Sequence, residues 1–159
     1  INTAGELQSR ASDTGDDAQA QVSNQIDVVS ATADDSDTDD VVETVTLVVK
    51  KSPGSDPIDL SESTIEYTSS SNSETLTRAT SATGTEFATS AVAGGGSDTV
   101  LENTDQRIEI TIDVSSIDGG SGGLSEGASA ELKIVDQSGA TTTYGINVPD
   151  VLTGQYAPV

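Results

Sequence analysis

The side chains best suited to chemistry in this sequence are carboxylates, and one run concentrates them. Asp34–Asp40 contains five aspartates within seven residues. Clustered carboxylates supply the hard oxygen ligands that Ca²⁺ and Mg²⁺ take in proteins. The run lacks the glycine and the terminal glutamate of an EF-hand loop, and acidic runs are usually solvated. We interpret it as a solvated acidic loop. A structural Ca²⁺ or Mg²⁺ ion bridging acidic loops is left open, and no other cofactor is indicated.

The residue types that are missing exclude most catalytic chemistry. The 159 residues include no cysteine, histidine or tryptophan. A thiolate zinc site, a cysteine nucleophile and a Ser-His-Asp triad are therefore excluded. Glycoside hydrolysis uses a pair of carboxylates, but among 27 acidic residues many such pairs could be chosen. Their abundance therefore does not indicate a glycosidase. Gly119–Gly123 lacks the Lys-[Ser/Thr] pair of a phosphate-binding loop. We predict a protein that is not an enzyme and has no catalytic residues.

The net charge of −21 limits both the partners and the folding of the chain. Six scattered cations cannot form the basic patch that nucleic acid requires, so no nucleic-acid partner is expected. Self-repulsion opposes compaction, and the aliphatic content is close to that of a disordered chain. At molar salt the Debye length is about 3 Å, which screens this repulsion. We therefore predict a salt-adapted domain whose folding depends on salt.

Elements that could position an interface begin at the N-terminus, where apolar residues follow a helical spacing. Most of them are small, so the stripe would bury little area on its own. Two interpretations stay open on spacing alone: the helix folds back onto the rest of the chain, or the stripe contacts a partner. The stripe, our candidate polymer interface, consists of Ile1, Ala4, Leu7, Ala11, Ala18 and Val22.

A period of two replaces the helical spacing after Ile26 and predicts strands. Turns rich in Gly, Pro and Ser separate these short strands, as in a sandwich. The sequence therefore predicts a mainly β protein: an N-terminal helix followed by an antiparallel Greek-key, immunoglobulin-like β-sandwich. We assign residues 1–25 to the C-terminal end of an assembly helix and 26–159 to an outer β-sandwich domain. The clearest strands are Gln106–Ser115, Val41–Lys50, Ala128–Asp136 and Ala140–Val148; weaker candidates are Ile26–Ser30, Thr64–Thr68, Glu74–Arg78 and Glu86–Val92.

Several short motifs resemble the archaeal flagellins (archaellins), particularly those of haloarchaea. The resemblance covers essentially the whole chain and is strongest in the first 32 residues. The motifs are Ile1-Asn2-Thr3-Ala4-Gly5, Leu7-Gln8-Ser9, Gln21-Val22-Ser23-Asn24, Val28-Val29-Ser30-Ala31-Thr32, Ile58-Asp59-Leu60-Ser61 and Tyr144-Gly145-Ile146-Asn147-Val148-Pro149.

This resemblance implies a structural subunit of the archaellum, the rotating motility filament outside the archaeal cell. In that family an N-terminal helix similar to that of type IV pilins packs in the filament core, and the β-sandwich forms the outer wall. The implied partners are further copies of this chain or other archaellins. Archaellins also carry a stretch of about 20 apolar residues that this chain lacks before Ile1. Membrane contact is expected only through such an upstream helix before assembly, and Glu6 stands where the family leads us to expect an apolar residue.

Two alternatives remain open at this stage. A pilin-like adhesion subunit shares the same plan of helix and sandwich. A secreted β-sandwich that binds sugar or calcium requires no polymer, but it predicts a saturable ligand.

Overall fold

The computed structural model describes residues 3–120 and 122–159, without the side chains of Asp17 and Ala20. Ile1, the first residue of the predicted stripe, lies outside the described residues. Helix α1 spans Thr3–Ser23, and every described side chain on it is exposed. None of the described helices combines the length and the hydropathy needed to cross a bilayer.

The rest of the described chain is built from short strands with two brief helical turns. A 3-10 turn spans Leu60–Glu62, and helix α2 spans Val114–Ile117. The strands are β1 (Ile26–Asp34), β2 (Val41–Val42), β3 (Thr44–Lys51), β4 (Ile58–Asp59), β5 (Thr64–Ser69), β6 (Ser73–Ala79), β7 (Glu86–Ala93), β8 (Val100–Leu101), β9 (Arg107–Asp113), β10 (Leu124–Ser125), β11 (Ser129–Val135), β12 (Thr141–Asn147) and β13 (Tyr156–Pro158).

Nine strands form one curled sheet in the order β12-β11-β5-β6-β7-β9-β3-β1-β13. Every neighbouring pair is antiparallel except β6 and β7, which run parallel over only three residue pairs. This short parallel pairing of β6 and β7 divides the sheet into two halves. The halves also approach at the other side, where the Tyr144 hydroxyl donates to the Val159 carbonyl at 2.8 Å. The predicted sandwich with an N-terminal helix is confirmed as a fold.

The core lies between the two halves and is mostly aliphatic. On β9 the alternation of the sequence places Ile108, Ile110 and Ile112 inward, where all three are buried. Residues from the opposite half, including Tyr67 and Leu132, are also fully buried in the same cluster. Burial of apolar surface is therefore the main stabilising contribution to the sandwich, at about 25 cal/mol per Å².

A buried polar cluster ties the two halves together beside this core. The Tyr67 hydroxyl donates to Oδ2 of Asp118 at 2.6 Å. Oδ1 of Asp118 accepts from the Ser69 hydroxyl at 3.0 Å and from Nδ2 of Asn72 at 2.5 Å. Burial, followed by the hydrogen bond to Asp118 and its negative charge, raises the pKa of Tyr67 well above its ordinary value. The tyrosine therefore stays protonated and holds a buried carboxylate in place.

The predicted strand Gln106–Ser115 ends early because a side chain caps a helical turn. Strand β9 stops at Asp113, and α2 begins at Val114. Oδ1 of Asp113 accepts from the backbone N–H of Ser116 at 3.0 Å, which is the bond of a helix N-cap. Val114 is still buried, so the apolar pattern was correct about burial but wrong about conformation at this position.

The predicted strand Val41–Lys50 is divided in two. Val41 and Val42 pair with β10 in a separate two-stranded ladder, whereas Thr44–Lys51 enters the large sheet between β1 and β9. Glu43 stands at the break, where its backbone N–H donates to the carbonyl of Asp34 at 3.0 Å. Strand β3 is therefore a central strand of the large sheet.

Candidate assembly surfaces

The described members of the predicted stripe share one exposed face of α1. At about 100° per residue, Ala4, Leu7, Ala11, Ala18 and Val22 fall within an arc of about 60°. Leu7 is 65% exposed and Val22 is 84% exposed. The structure thus gathers these five residues on one side of the helix and leaves that side uncovered.

Gly15 borders this face of the helix. The stripe has a gap of seven residues between Ala11 and Ala18, and Gly15 lies in this gap, about 20° beyond the edge of the arc. A Cβ added at Gly15 would meet no atom within 4 Å in this chain. We did not include this glycine in the predicted stripe. Its spacing of four from Ala11 and three from Ala18 was the available signal, because such spacing defines one helix face.

The exposed helix does not agree with one of the two interpretations of the stripe, in which the helix folds back onto the rest of the chain. The described side chains of α1 do not fold back onto the sandwich in this chain, since all of them are exposed. In proteins most of the stability of a helix comes from packing its amphipathic face. The apolar face of α1 is therefore uncovered within the described chain.

A polar joint fixes the end of α1 to the sandwich. Asn24 follows the helix directly and is only 6% exposed. Its Nδ2 donates to Oδ2 of Asp136 at 3.2 Å, and its Oδ1 accepts from the backbone N–H of Asp56 at 3.0 Å. One side chain thereby connects the helix to two turns that are far apart in the sequence. We call Asn24, Asp136, Ser55 and Lys51 the joint.

The turn that follows β3 completes the joint. The Ser55 hydroxyl donates to the carbonyl of Ser23 at 3.2 Å and accepts from the N–H of Gln25 at 3.0 Å. The ammonium group of Lys51 is buried and donates to the carbonyl of Ser55 at 2.5 Å. Buried polar groups that are satisfied in this way hold a fixed geometry. The direction of α1 relative to the sandwich is therefore set by the hydrogen bonds of these side chains.

Part of the acidic run folds into a compact cluster. Carboxylate oxygens of Asp35, Asp39 and Glu43 lie within 4.8 Å of one another. Asp35 is 3% exposed, and its oxygens accept from the backbone N–H groups of Asp39 and Asp40, both at 3.2 Å. Glu43 accepts from the backbone and the hydroxyl of Ser36, both at 2.7 Å. These carboxylates organise their own loop, a folding role that the description of a solvated run did not anticipate.

Family comparison agrees with this arrangement of an exposed helix on a sandwich. A model of the archaeal-type flagellin family matches residues 1–146. The chain belongs to the archaeal-type flagellins. Flagellin B2 of Halobacterium salinarum is 41% identical over 160 residues, which cover 99% of this chain and 80% of that flagellin. The resemblance seen in the sequence motifs is therefore confirmed.

Solved structures of archaeal flagellins share the fold. The crystal structure of flagellin FlaB1 from Methanocaldococcus jannaschii superposes with a TM-score of 0.74 at 12% identity, covering 85% of this flagellin and 96% of that chain. The archaeal flagellum of Methanospirillum hungatei strain JF1 gives 0.65 at 19% identity, covering 96% and 83%. At such low identity the likeness shows the fold alone.

Membership in this family establishes the general role of the flagellin. It is a structural subunit of the archaellum and belongs to the filament outside the cell surface. Subunits of this kind are not enzymes, which agrees with the residue types found in the sequence. The comparisons favour this family over the pilin-like adhesion subunit and the secreted binding module.

Proposed function

We propose that this flagellin joins its filament through the stripe on α1, which packs against the helices of neighbouring subunits. The observation that carries the proposal is a helix whose described side chains are all exposed, with Ala4, Leu7, Ala11, Ala18 and Val22 on one narrow face. Small residues at Ala4, Ala11, Gly15 and Ala18 allow helices to approach closely. The same stripe suits a second copy of this chain or another archaellin. Both partners belong to the proposal.

The joint gives the sandwich a defined direction from that helix. A filament that transmits rotation needs its outer domains to move together with its core. Asn24 and Lys51 make this connection through satisfied, buried hydrogen bonds, which resist bending more than an exposed linker would. We therefore assign the joint the role of carrying load between the filament core and the outer wall.

The stripe is tested by placing a charge on it in cells whose filament is built from this chain. Ala18→Asp puts a carboxylate into the proposed helix contact, where burial of an unpaired charge costs several kcal/mol. Filaments should then be absent from electron micrographs, and swimming should stop.

Ser9→Asp is the matched control, because Ser9 is exposed on the same helix about 180° from Ala18. It should leave the filaments intact. Filaments that tolerate Ala18→Asp as well as Ser9→Asp would refute assembly through the stripe. Absence of the wild-type chain from isolated filaments would contradict the filament role itself.

We also propose, secondary to assembly through the stripe, that Asp35, Asp39 and Glu43 bind a divalent cation. The clustered carboxylates support it, but the hydrogen bonds within the loop also account for the cluster. Thermal unfolding with Ca²⁺, with Mg²⁺ and with chelator tests it. A saturable rise in Tm that Glu43→Gln removes would support an ion. An unchanged Tm at constant ionic strength would leave the carboxylates with only their loop-folding role.

A further inference from the structure

The strand edges of the sandwich are not protected equally. An exposed edge offers unpaired backbone groups to other chains, and proteins usually guard it with charges, proline or brevity. The free part of β6 carries Glu74. Strand β13 has only three residues, and one of them is Pro158. Among the described edges of the nine-stranded sheet, those on β12 and at the end of β7 carry no charged residue and no proline within the strand.

The first unguarded edge is β12, the terminal strand of the large sheet. The segment Gln137–Pro149 contains this strand and no charged residue, although the chain has 27 acidic residues. Within the described chain, the backbone of Thr141–Asn147 bonds only to β11. Its outward face is polar but neutral, with Thr143 and Gly145 exposed. We call this segment flank A.

The second unguarded edge is the end of β7. The segment Phe87–Ser97 also carries no charge. Strand β7 pairs with β6 only through Glu86–Ala88, so Ser90–Ala93 bonds to β9 on one side and is free on the other. These four strand residues are all exposed, and Val92 is 54% exposed. We call this segment flank B.

Flank B is an ordered surface. Gly94, Gly95 and Gly96 all have positive φ, which lets the chain turn sharply after the strand. Gln106 is buried behind this turn, and its Nε2 donates to the carbonyl of Gly95 at 2.9 Å. Its Oε1 accepts from the backbone N–H groups of Glu102 and Asn103 at 2.6 and 2.8 Å. Val92 is therefore presented to solvent by a supported turn.

The positions of the two flanks suit contact between successive copies. Strand β12 and strand β6 are the two edges of one half of the sheet, and β7 continues beyond β6. At about 4.8 Å per strand, flanks A and B are separated by about 19 Å across the molecule. Different patches on opposite sides make a head-to-tail contact, and such contacts generate a filament where the rotation between copies does not close a ring.

We propose that flank B of one subunit packs against flank A of a second copy of this chain in the outer wall of the filament. Interface centres are depleted of charge, because a carboxylate buried without a partner loses its hydration. This cost persists in concentrated salt, which screens repulsion but does not replace lost water. A subunit carrying 27 acidic residues therefore offers few places for such a contact, and the two flanks provide neutral strand edges. The inference rests on the proposed filament function and adds a contact outside the helical core.

Cysteine cross-linking tests this contact, since the flagellin has no native cysteine. The double variant Val92→Cys/Thr143→Cys is produced in cells whose filament is built from this chain. Isolated filaments are oxidised or treated with a short bismaleimide, and then separated on a denaturing gel. Disulfides form only when the two Cα atoms approach within about 7 Å, and the bismaleimide extends that reach.

The expected result is a ladder of covalent oligomers from the double variant. Each single variant should stay monomeric, because a contact between different flanks never brings two identical cysteines together. The control pair Val92→Cys/Thr75→Cys places the second thiol at another exposed strand threonine, on the edge guarded by Glu74. It should yield no ladder, although both of its thiols react with a monofunctional maleimide.

Three results would overturn the proposal. Intact filaments of the double variant without a ladder would show that the flanks do not meet. Equal ladders from the control pair would show random collision. Dimers from Val92→Cys alone would show that flank B contacts itself. If the wild-type chain is absent from filaments, the filament function fails first, and this inference fails with it.

Discussion

Helix α1 and the β-sandwich are stabilised in different ways, although they belong to one chain. Every described side chain of the helix is exposed, including Leu7 at 65%. In the sandwich Leu47 is fully buried, and so are both large aromatic residues of the core, Tyr67 and Phe87. The sandwich contains its own hydrophobic core. The helix presents an apolar face that no described side chain of the sandwich covers.

This difference separates effects on folding from effects on assembly. Substitutions in the sandwich should change the free energy of unfolding of the isolated chain. Substitutions on the exposed face of α1 should leave that free energy nearly unchanged while they alter the filament. The joint is the place where the two kinds of effect overlap, since Asn24 contacts both regions.

The largest expected effect comes from salt, which acts on the sandwich as a whole. With a net charge of −21, repulsion should oppose the folded state when the salt concentration falls from about 3 M to about 0.1 M. We expect the β signal in circular dichroism to be lost over that range and the Tm to fall with it. A spectrum and a Tm that do not change over the same range would contradict the salt-adapted interpretation.

The next largest effect tests the comparison directly with two matched substitutions. Leu47→Ala removes a fully buried side chain and should destabilise the isolated chain by about 2–5 kcal/mol. Leu7→Ala makes the same chemical change on α1 and should alter stability by less than about 0.5 kcal/mol, because the site is exposed and alanine favours helix. Denaturant unfolding at constant high salt measures both values. Equal losses for the two variants would show that the helix packs on the sandwich in solution.

A smaller effect is expected at the buried Tyr67 hydroxyl. Tyr67→Phe removes its bond to Asp118 and should cost about 1–3 kcal/mol. Because the folded state raises the pKa of Tyr67, its contribution is complete below pH 10, the ordinary pKa of the side chain, and declines as the pH rises beyond it. Stability of the wild-type protein should therefore fall more steeply above about pH 10 than that of the variant. Tyr156→Phe, at an exposed site, is the control and should change neither the free energy of unfolding nor its decline above about pH 10. Parallel alkaline profiles for wild type and Tyr67→Phe would contradict this role.

The smallest effect concerns the cap of α2. Burial favours a higher pKa for Asp113, but the hydrogen bonds from Ser115 and Ser116 outweigh burial and lower the pKa of this carboxyl below 3.8. Asp113→Ala should cost about 1 kcal/mol near neutral pH. Since the folded pKa is lowered, the contribution is present above the ordinary pKa and lost as the pH falls through the folded value. The difference between wild type and variant should therefore shrink in acid. Asp113→Asn retains a capping oxygen and should lose less stability, and a pH-independent difference would rule out the ionised cap.

Local patterns in the sequence predicted most of the secondary structure. The alternation along Arg107–Asp113 identified a strand with one buried face, and the spacing of Ala4, Leu7 and Ala11 identified one face of a helix. Both patterns are encoded within a few residues, so no long-range information is needed to recognise them. The break at Glu43 was missed, because a partner distant in space determines which ladder Val41 and Val42 join.

The sequence by itself determined that the flagellin is acidic, that it contains no cysteine or histidine, and that it is a mainly β protein whose first element is an amphipathic helix. Only the tertiary structure decided that this helix stands clear of the sandwich, that Asn24 reaches Asp136 across 112 positions of sequence, and that two neutral edges are left unguarded. These features depend on strand register and on which turns meet in space. Hydrophobic periodicity specifies which face of each strand is buried, but it does not specify which strands become neighbours.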